Sequence, residues 1–297
     1  MASCPVCNEK FESGDYYTMA IHFMNLEKSG DKYHVQWINK NISKQDLNIM
    51  QFTSAIESFY NMGNGGIKEW IINKVIKQFL GEVPHPFVLK MQSYSKPLMM
   101  GYAVEHYSFL KQWVKSCSII VSKTDIDEVQ RYEIENILSK YFGIGRKKPY
   151  IELLLQMGED LEIDRKRVFN IEPMDCTKFA ISRWRDIANR FNWIAIMAAM
   201  HSLELIANGK LTEYGAKYYY FNPEMLNSPS IPDSVKRFLG DHLRRDDSRS
   251  FRALDIMAKY CHDYNMEDIQ DAYLMSAYAF DRYLEAILER GKMFESQ

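Results

Sequence analysis

No stretch of this sequence is basic, apolar or repetitive enough to place it in a specialised class. Its 37 Lys and Arg residues meet 39 Asp and Glu, a formal net charge of -2. Without a dominant basic tract it lacks the electrostatic footprint of a protein that works on nucleic acid. The longest apolar run, Trp193 to Met200, falls far short of the ~18 residues a membrane span requires. A signal-peptide hydrophobic region is also missing, so the expected location is the cytoplasm and no membrane partner is expected. Cysteine is scarce, with five residues at 4, 7, 117, 176 and 261. An odd count in so long a chain argues against a secreted disulfide framework. No run of alternating residues is bounded by hairpin signals, and no internal repeat stands out. What is present is bulk: seventeen Met, sixteen Phe and nineteen Tyr. Such side chains suit a helical bundle around a pocket, and equally an ordinary packed core.

The first residues carry a metal-ligand pattern. Cys4 and Cys7, in CPVC, can grip one face of a tetrahedral ion from a tight turn, with Phe11 as a packing anchor. His22 and His34 complete a Cys2His2 set that zinc accepts. Eleven residues separate the two histidines, where the usual finger has three to five, so the second ligand is expected beyond a helix end. A redox CxxC and a pair of free surface thiols are the alternatives; no strand precedes the motif, which counts against redox chemistry. The segment resembles a divergent C2H2 zinc finger. Four ligands close the site, so its expected work is folding or docking a partner. We place it at residues 1–45, with the remaining chain, 46–297, as the main body.

That body reads as helical. Ile72, Val75, Ile76, Phe79 and Leu80 form one stripe, and Ala103, Tyr107, Leu110, Val114 and Cys117 another. A third helix is expected to begin at Asp125, with Glu128 answering in a capping box, and to end at the Gly143, Gly145 loop. Ile151, Leu154, Leu155, Gly158 and Leu161 resume the pattern. One long helix is expected to carry Trp184, Ile187, Phe191, Ile194, Ala198, His201 and Leu205. The last carries Ile269, Ala272, Tyr273, Ser276, Phe280, Tyr283 and Ile287. Pro84, Pro86 and Pro97 interrupt the early helices, and residues 222–233, with three prolines, form a loop. The expected fold class is all-α, a bundle of about seven helices.

One helix places charge where core residues belong. From Val235 to Tyr260 the row Val235, Leu239, His242, Asp246, Arg249, Ala253, Ile256, Tyr260 holds one face. Three consecutive ionisable side chains there are costly to bury unless they meet each other, a metal or a polar ligand. A neighbouring row through Leu243, Phe251, Leu254 and Ala258 could face inward instead, leaving HLRRDDSR in water.

The order of HPF at 85–87, EHYSFLKQW at 105–113, WIAIMAAMHSLELIANG at 193–209 and FLGDHLRRDDSR at 238–249 resembles the heme-oxygenase-like superfamily. The likeness is to the branch of pyrroloquinoline quinone synthase (PqqC) and TenA, over roughly residues 52–288. It implies a helix-walled cavity, whose chemistry differs among members: metal-free oxidation with dioxygen, diiron oxidation, or cysteine-dependent hydrolysis of aminopyrimidines. The diiron pattern is partly met by Glu105, His242 and Asp246. It fails at Arg249, where a ligand histidine belongs, and near Lys140, Tyr141 and Tyr150. Arginine opposes metal and favours an anionic substrate or a salt bridge to Asp246. For TenA chemistry, Cys117 and Cys176 lack a nucleophile's context, and Asp281 and Glu285, where that family carries its acid, are expected on a solvated face.

The resemblance therefore implies a PqqC-like oxidoreductase acting on a small, anionic organic molecule, with structural zinc and no bundle cofactor expected, iron being left open. Glu105, His201, His242 and Asp246 would handle protons, and Arg249, Glu204 and His106 would bind substrate. Each has a plainer alternative: His201 as a satisfied core histidine, and Glu105 or His106 as a packing or surface residue. A non-catalytic binding or regulatory module with a zinc-stabilised docking segment is the alternative function. A homodimer is the expected assembly.

Overall fold

The computed structural model describes residues 2–43, 45–145 and 147–296, without the side chains of 242–248. Two-residue strands β1 (Ala2–Ser3) and β2 (Lys10–Phe11) pair antiparallel, Ala2 opposite Phe11. Thirteen α-helices follow among the described residues. The N-terminal segment contributes α1 (Tyr16–Lys28) and α2 (Lys32–Asn41). Then come α3 (Ile49–Tyr60), α4 (Gly66–Val75), α5 (Pro86–Lys90), α6 (Lys96–Ser122), α7 (Asp127–Tyr141) and α8 (Tyr150–Asp160). The series closes with α9 (Arg165–Asn170), α10 (Asp175–Arg190), α11 (Trp193–His201), α12 (Asp233–Tyr260) and α13 (Met266–Glu295). The class is all-α as the periodicity indicates, but the count exceeds seven because punctuation divides the stripes more finely.

The expected helix from Trp184 to Leu205 is two. Phe191 is extended, and Asn192 starts α11 by accepting a hydrogen bond from the Ala195 amide. After His201 the chain tightens into a 3-10 turn, Ser202–Ala207. The prolines start helices more than they break them: Pro86 opens α5 behind His85, and Pro97 lies in the first turn of α6 behind Ser95. Asp125 and Glu128 form no capping box. The α7 N-cap is Ile126, which has no capping side chain, and Glu128 instead meets Lys259 and Tyr260.

Long helices α6 and α13 form the centre, with α10 and α11 packed on α13. All nine residues of α11 are buried, as an all-round apolar sequence requires. The predicted face of α13 is buried from Ile269 through Ile287. Close approach of α6 and α13 depends on Gly101, where a Cβ would lie 2.7 Å from the Gly291 amide nitrogen. The apolar core runs without interruption from Ala2, Cys4 and Phe11 into the bundle. No described helix is long and apolar enough to cross a membrane.

Candidate functional site

Zinc ligands come first. A strand does precede CPVC, contrary to the sequence expectation, and it forms the hairpin that carries the motif: the Cys4 amide donates to the Glu9 carbonyl and Asn8 turns the chain at φ 69°. His22 projects from α1. After Gly30 turns at φ 75°, His34 lies in the first turn of α2, on a second helix as the wide spacing implies. Cys4 Sγ is 3.5 Å from His34 Nε2, and Cys7 Sγ is 3.4 Å from His22 Nε2. A tetrahedral zinc with ordinary bond lengths sets sulfur and nitrogen ligands about 3.5 Å apart. All four ligand atoms lie within 4.8 Å of one another, so the residues fit the ion. Asp31 caps α2 through the His34 amide and holds His34 Nδ1 at 2.7 Å, which leaves Nε2 for metal. Burial raises the Cys4 thiol, whereas the hydrogen bond from Cys4 draws Cys7 down to about 4.

In the bundle, α6 turns Tyr102, His106, Phe109 and Trp113 to one side of a chamber, closed by Tyr220, Phe280 and Tyr283. Its walls are aromatic: His106 stacks on Tyr102 and Phe109, and its Nδ1 lies 2.7 Å from the Tyr283 hydroxyl. One end is charged. Lys140 Nζ donates to Glu204 Oε1 at 3.2 Å and lies over the rings of Tyr150 and Trp113. Behind Glu204, fully buried His201 has Nε2 2.7 Å from Glu133 Oε1, with Nδ1 3.4 Å from the Tyr132 hydroxyl and 3.6 Å from Glu204. That hydroxyl donates to the Arg249 carbonyl at 3.1 Å, so toward His201 it can only accept. Both imidazole nitrogens then face acceptors, the pattern of an imidazolium. Burial alone would lower His201, but the charge and hydrogen bond of Glu133, with Glu204, lift it to about 9. Burial likewise opposes ionised Glu204, and Lys140, His201 and Arg249 outweigh it, holding that carboxyl below its ordinary value.

The free space between these groups is about 20 Å³, room for one water and little more. Cys117 lies within 4.8 Å of Glu133 and His201. Its thiol is driven well up by burial and by Glu133, so it is not poised as a nucleophile. The same three residues offer a metal-ligand set, and the 2.7 Å bond between His201 Nε2 and Glu133 makes them an ion pair with a thiol beside it here.

The sequence candidates separate clearly. Glu204 and His106 line the chamber, and His201 lies behind Glu204, its Nδ1 3.6 Å from that carboxylate. Arg249 is not among the lining residues; it donates to Ser139 Oγ at 2.7 Å, and its charge helps hold Glu204 ionised. Glu105 is fully buried but is not among the lining residues: Arg290 Nε donates to it at 2.8 Å and the Met174 amide at 3.2 Å, which makes it a structural ion pair. His242 and Asp246 lie on α12, and their side chains fall outside what the structure describes. Asp281 and Glu285 do not form the expected solvated face; they line a cleft beside α2. What the sequence reading missed is the polar inward face of α7, whose helix it expected. Its buried row is Tyr132, Glu133, Asn136, Ser139 and Lys140, while Ile134 and Leu138 are exposed. Polar residues repeating at helical spacing were the available signal.

An all-α bundle with an aromatic chamber and a closed Cys2His2 clasp defines a heme-oxygenase-like helical protein bearing a zinc finger. The chain belongs to the TENA/THI-4/PQQC family, whose pattern matches residues 73–290, and residues 1–61 match a C2H2 type zinc finger. Among solved structures it is similar to a TenA homologue from P. horikoshii OT3, at 14% identity and TM-score 0.57 over 75% of this chain and 95% of that one. It is similar to a putative TenA-like thiaminase from Sulfolobus solfataricus P2, at 16% identity and TM-score 0.55 over 77% and 97%. A domain of unknown function with a heme oxygenase-like fold from Shewanella denitrificans OS217 gives 14% identity and TM-score 0.54 over 85% and 97%. These likenesses establish the fold. No curated protein matches the chain.

Proposed function

We propose that the bundle binds a small, flat organic molecule with an anionic group and oxidises it with dioxygen, in the manner of PqqC-like proteins. Two electrons and two protons would pass from substrate to dioxygen, giving hydrogen peroxide. The observation that supports this reading is the charged end of an otherwise aromatic chamber, where Lys140 pairs with Glu204 and the His201–Glu133 pair lies behind them. Once the aromatic walls part beyond the one-water space between them, they would take a planar ring by stacking, and Lys140 would stabilise negative charge on substrate or on reduced oxygen. His201 positions Glu204 from behind the chamber wall. TenA-like hydrolysis is less well supported, because Cys117 is held as a thiol.

A second reading, a ligand-binding or regulatory module without chemistry, is favoured by the mutual pairing of the charges in and behind the chamber. Thermal-shift screening against flat carboxylates, quinones and pyrimidines identifies ligands, since binding to the native state raises the melting temperature. An oxygen electrode then separates the readings. Oxygen uptake with stoichiometric peroxide supports oxidation; a ligand-induced shift without uptake supports the binding module.

A further inference from the structure

The larger spaces lie outside the chamber, along the seam between the zinc-bearing segment and the bundle. One cleft of about 230 Å³ is formed by Trp37 and Lys40 of α2, Pro84 and His85 just before α5, and Asp281 and Glu285 of α13. It shares no lining residue with the aromatic chamber.

Two groups in it are incompletely used. His85 is 4% exposed, and its Nδ1 accepts the Phe87 amide at 3.1 Å, so the ring proton sits on Nε2 and the ring is neutral. Among the described residues that N–H makes no hydrogen bond within 3.5 Å, and Asp281 Oδ1 lies 3.6 Å from it. Asp281 accepts from Gln78 at 3.1 Å, yet among the described residues no Lys or Arg lies within ion-pair distance of it. Lys40 Nζ is bound to the Val83 carbonyl and Arg282 to Glu285. Burial correspondingly pushes the Asp281 carboxyl up to about 6, over the opposing effects of Gln78, Arg282 and Lys40. A mostly buried carboxylate without a counter-cation and an imidazole N–H without an acceptor, facing one cleft, call for a ligand supplying both.

We propose that this cleft binds a small organic amine, its ammonium on Asp281, a neighbouring oxygen acceptor on His85 Nε2–H and its flat apolar body against Trp37 and Pro84. The zinc-bearing segment thereby forms one wall of a ligand site, because α2 starts at Asp31, which also holds the metal ligand His34.

Isothermal titration of the zinc-loaded full chain with benzylamine, 2-phenoxyethylamine and benzoate tests this. The amines are expected to bind, the ether-bearing one several-fold tighter, with benzoate at least tenfold weaker. Asp281→Asn should weaken both amines at least tenfold at unchanged zinc content. Should that variant fold poorly, Lys40→Met decides: removing a cation from the cleft strengthens amine binding several-fold. Equal affinity for benzoate and benzylamine, no amine binding at millimolar concentration, or amine affinity indifferent to both substitutions would overturn the proposal.

Discussion

Glu133→Gln isolates the ion pair at the centre of the bundle. In the native protein His201 titrates at about 9 because Glu133 and Glu204 outweigh the effect of burial. Its unfolded value is about 6.5. A folded value above the unfolded one gives stability that is complete below pH 6.5 and lost as pH rises through 9. At about 1.4 kcal/mol per pH unit, the difference amounts to about 3 kcal/mol. For a chain of this length that corresponds to about 5 °C in melting temperature. Other groups titrate in the same window. Lys74, lowered by burial to about 7, changes stability in the opposite direction. The measured quantity is therefore the wild-type melting temperature minus that of Glu133→Gln, followed from pH 6 to 10. It should shrink by about 5 °C over that range. A difference independent of pH, or one that grows toward pH 10, would refute the assignment of an imidazolium at His201.

Cys4→Ser should abolish stoichiometric zinc by elemental analysis, and Asp31→Asn should weaken zinc about 10–100-fold in a chelator competition. Glu105→Gln should destabilise the fold by about 3–5 kcal/mol in denaturant melts, since Arg290 loses its buried partner. It should leave ligand binding in the chamber unchanged, which separates the structural role from the catalytic one first assigned to it. Gly101→Ala should lower stability by about 1–3 kcal/mol, because a Cβ there meets the α13 backbone.

Much of the fold was legible because long stripes obey helical spacing. Every predicted inward residue of α13 is buried, and the zinc ligands were readable because CPVC and two histidines have few other uses together. Breaks were harder to place. Phe191 and Asn192 interrupt a continuous apolar pattern, and only the capping ability of Asn192 marks the boundary. The functional site was half legible: His201, Glu204 and His106 stood out, but their partners Glu133 and Lys140 did not. Helix α7 buries a polar row and exposes Ile134 and Leu138, so a search for inward apolar stripes passes over it. Glu105 shows the complementary error, a buried carboxylate whose partner, Arg290, is remote in sequence.

The claim on which the functional proposal rests is that Lys140, at the charged end of the chamber, recognises a ligand. Calorimetric titration of wild type and Lys140→Met with a flat carboxylate selected by thermal shift tests it most directly. Loss of at least tenfold in affinity, with the fold retained, is the predicted result. Undiminished affinity in Lys140→Met would contradict the proposal.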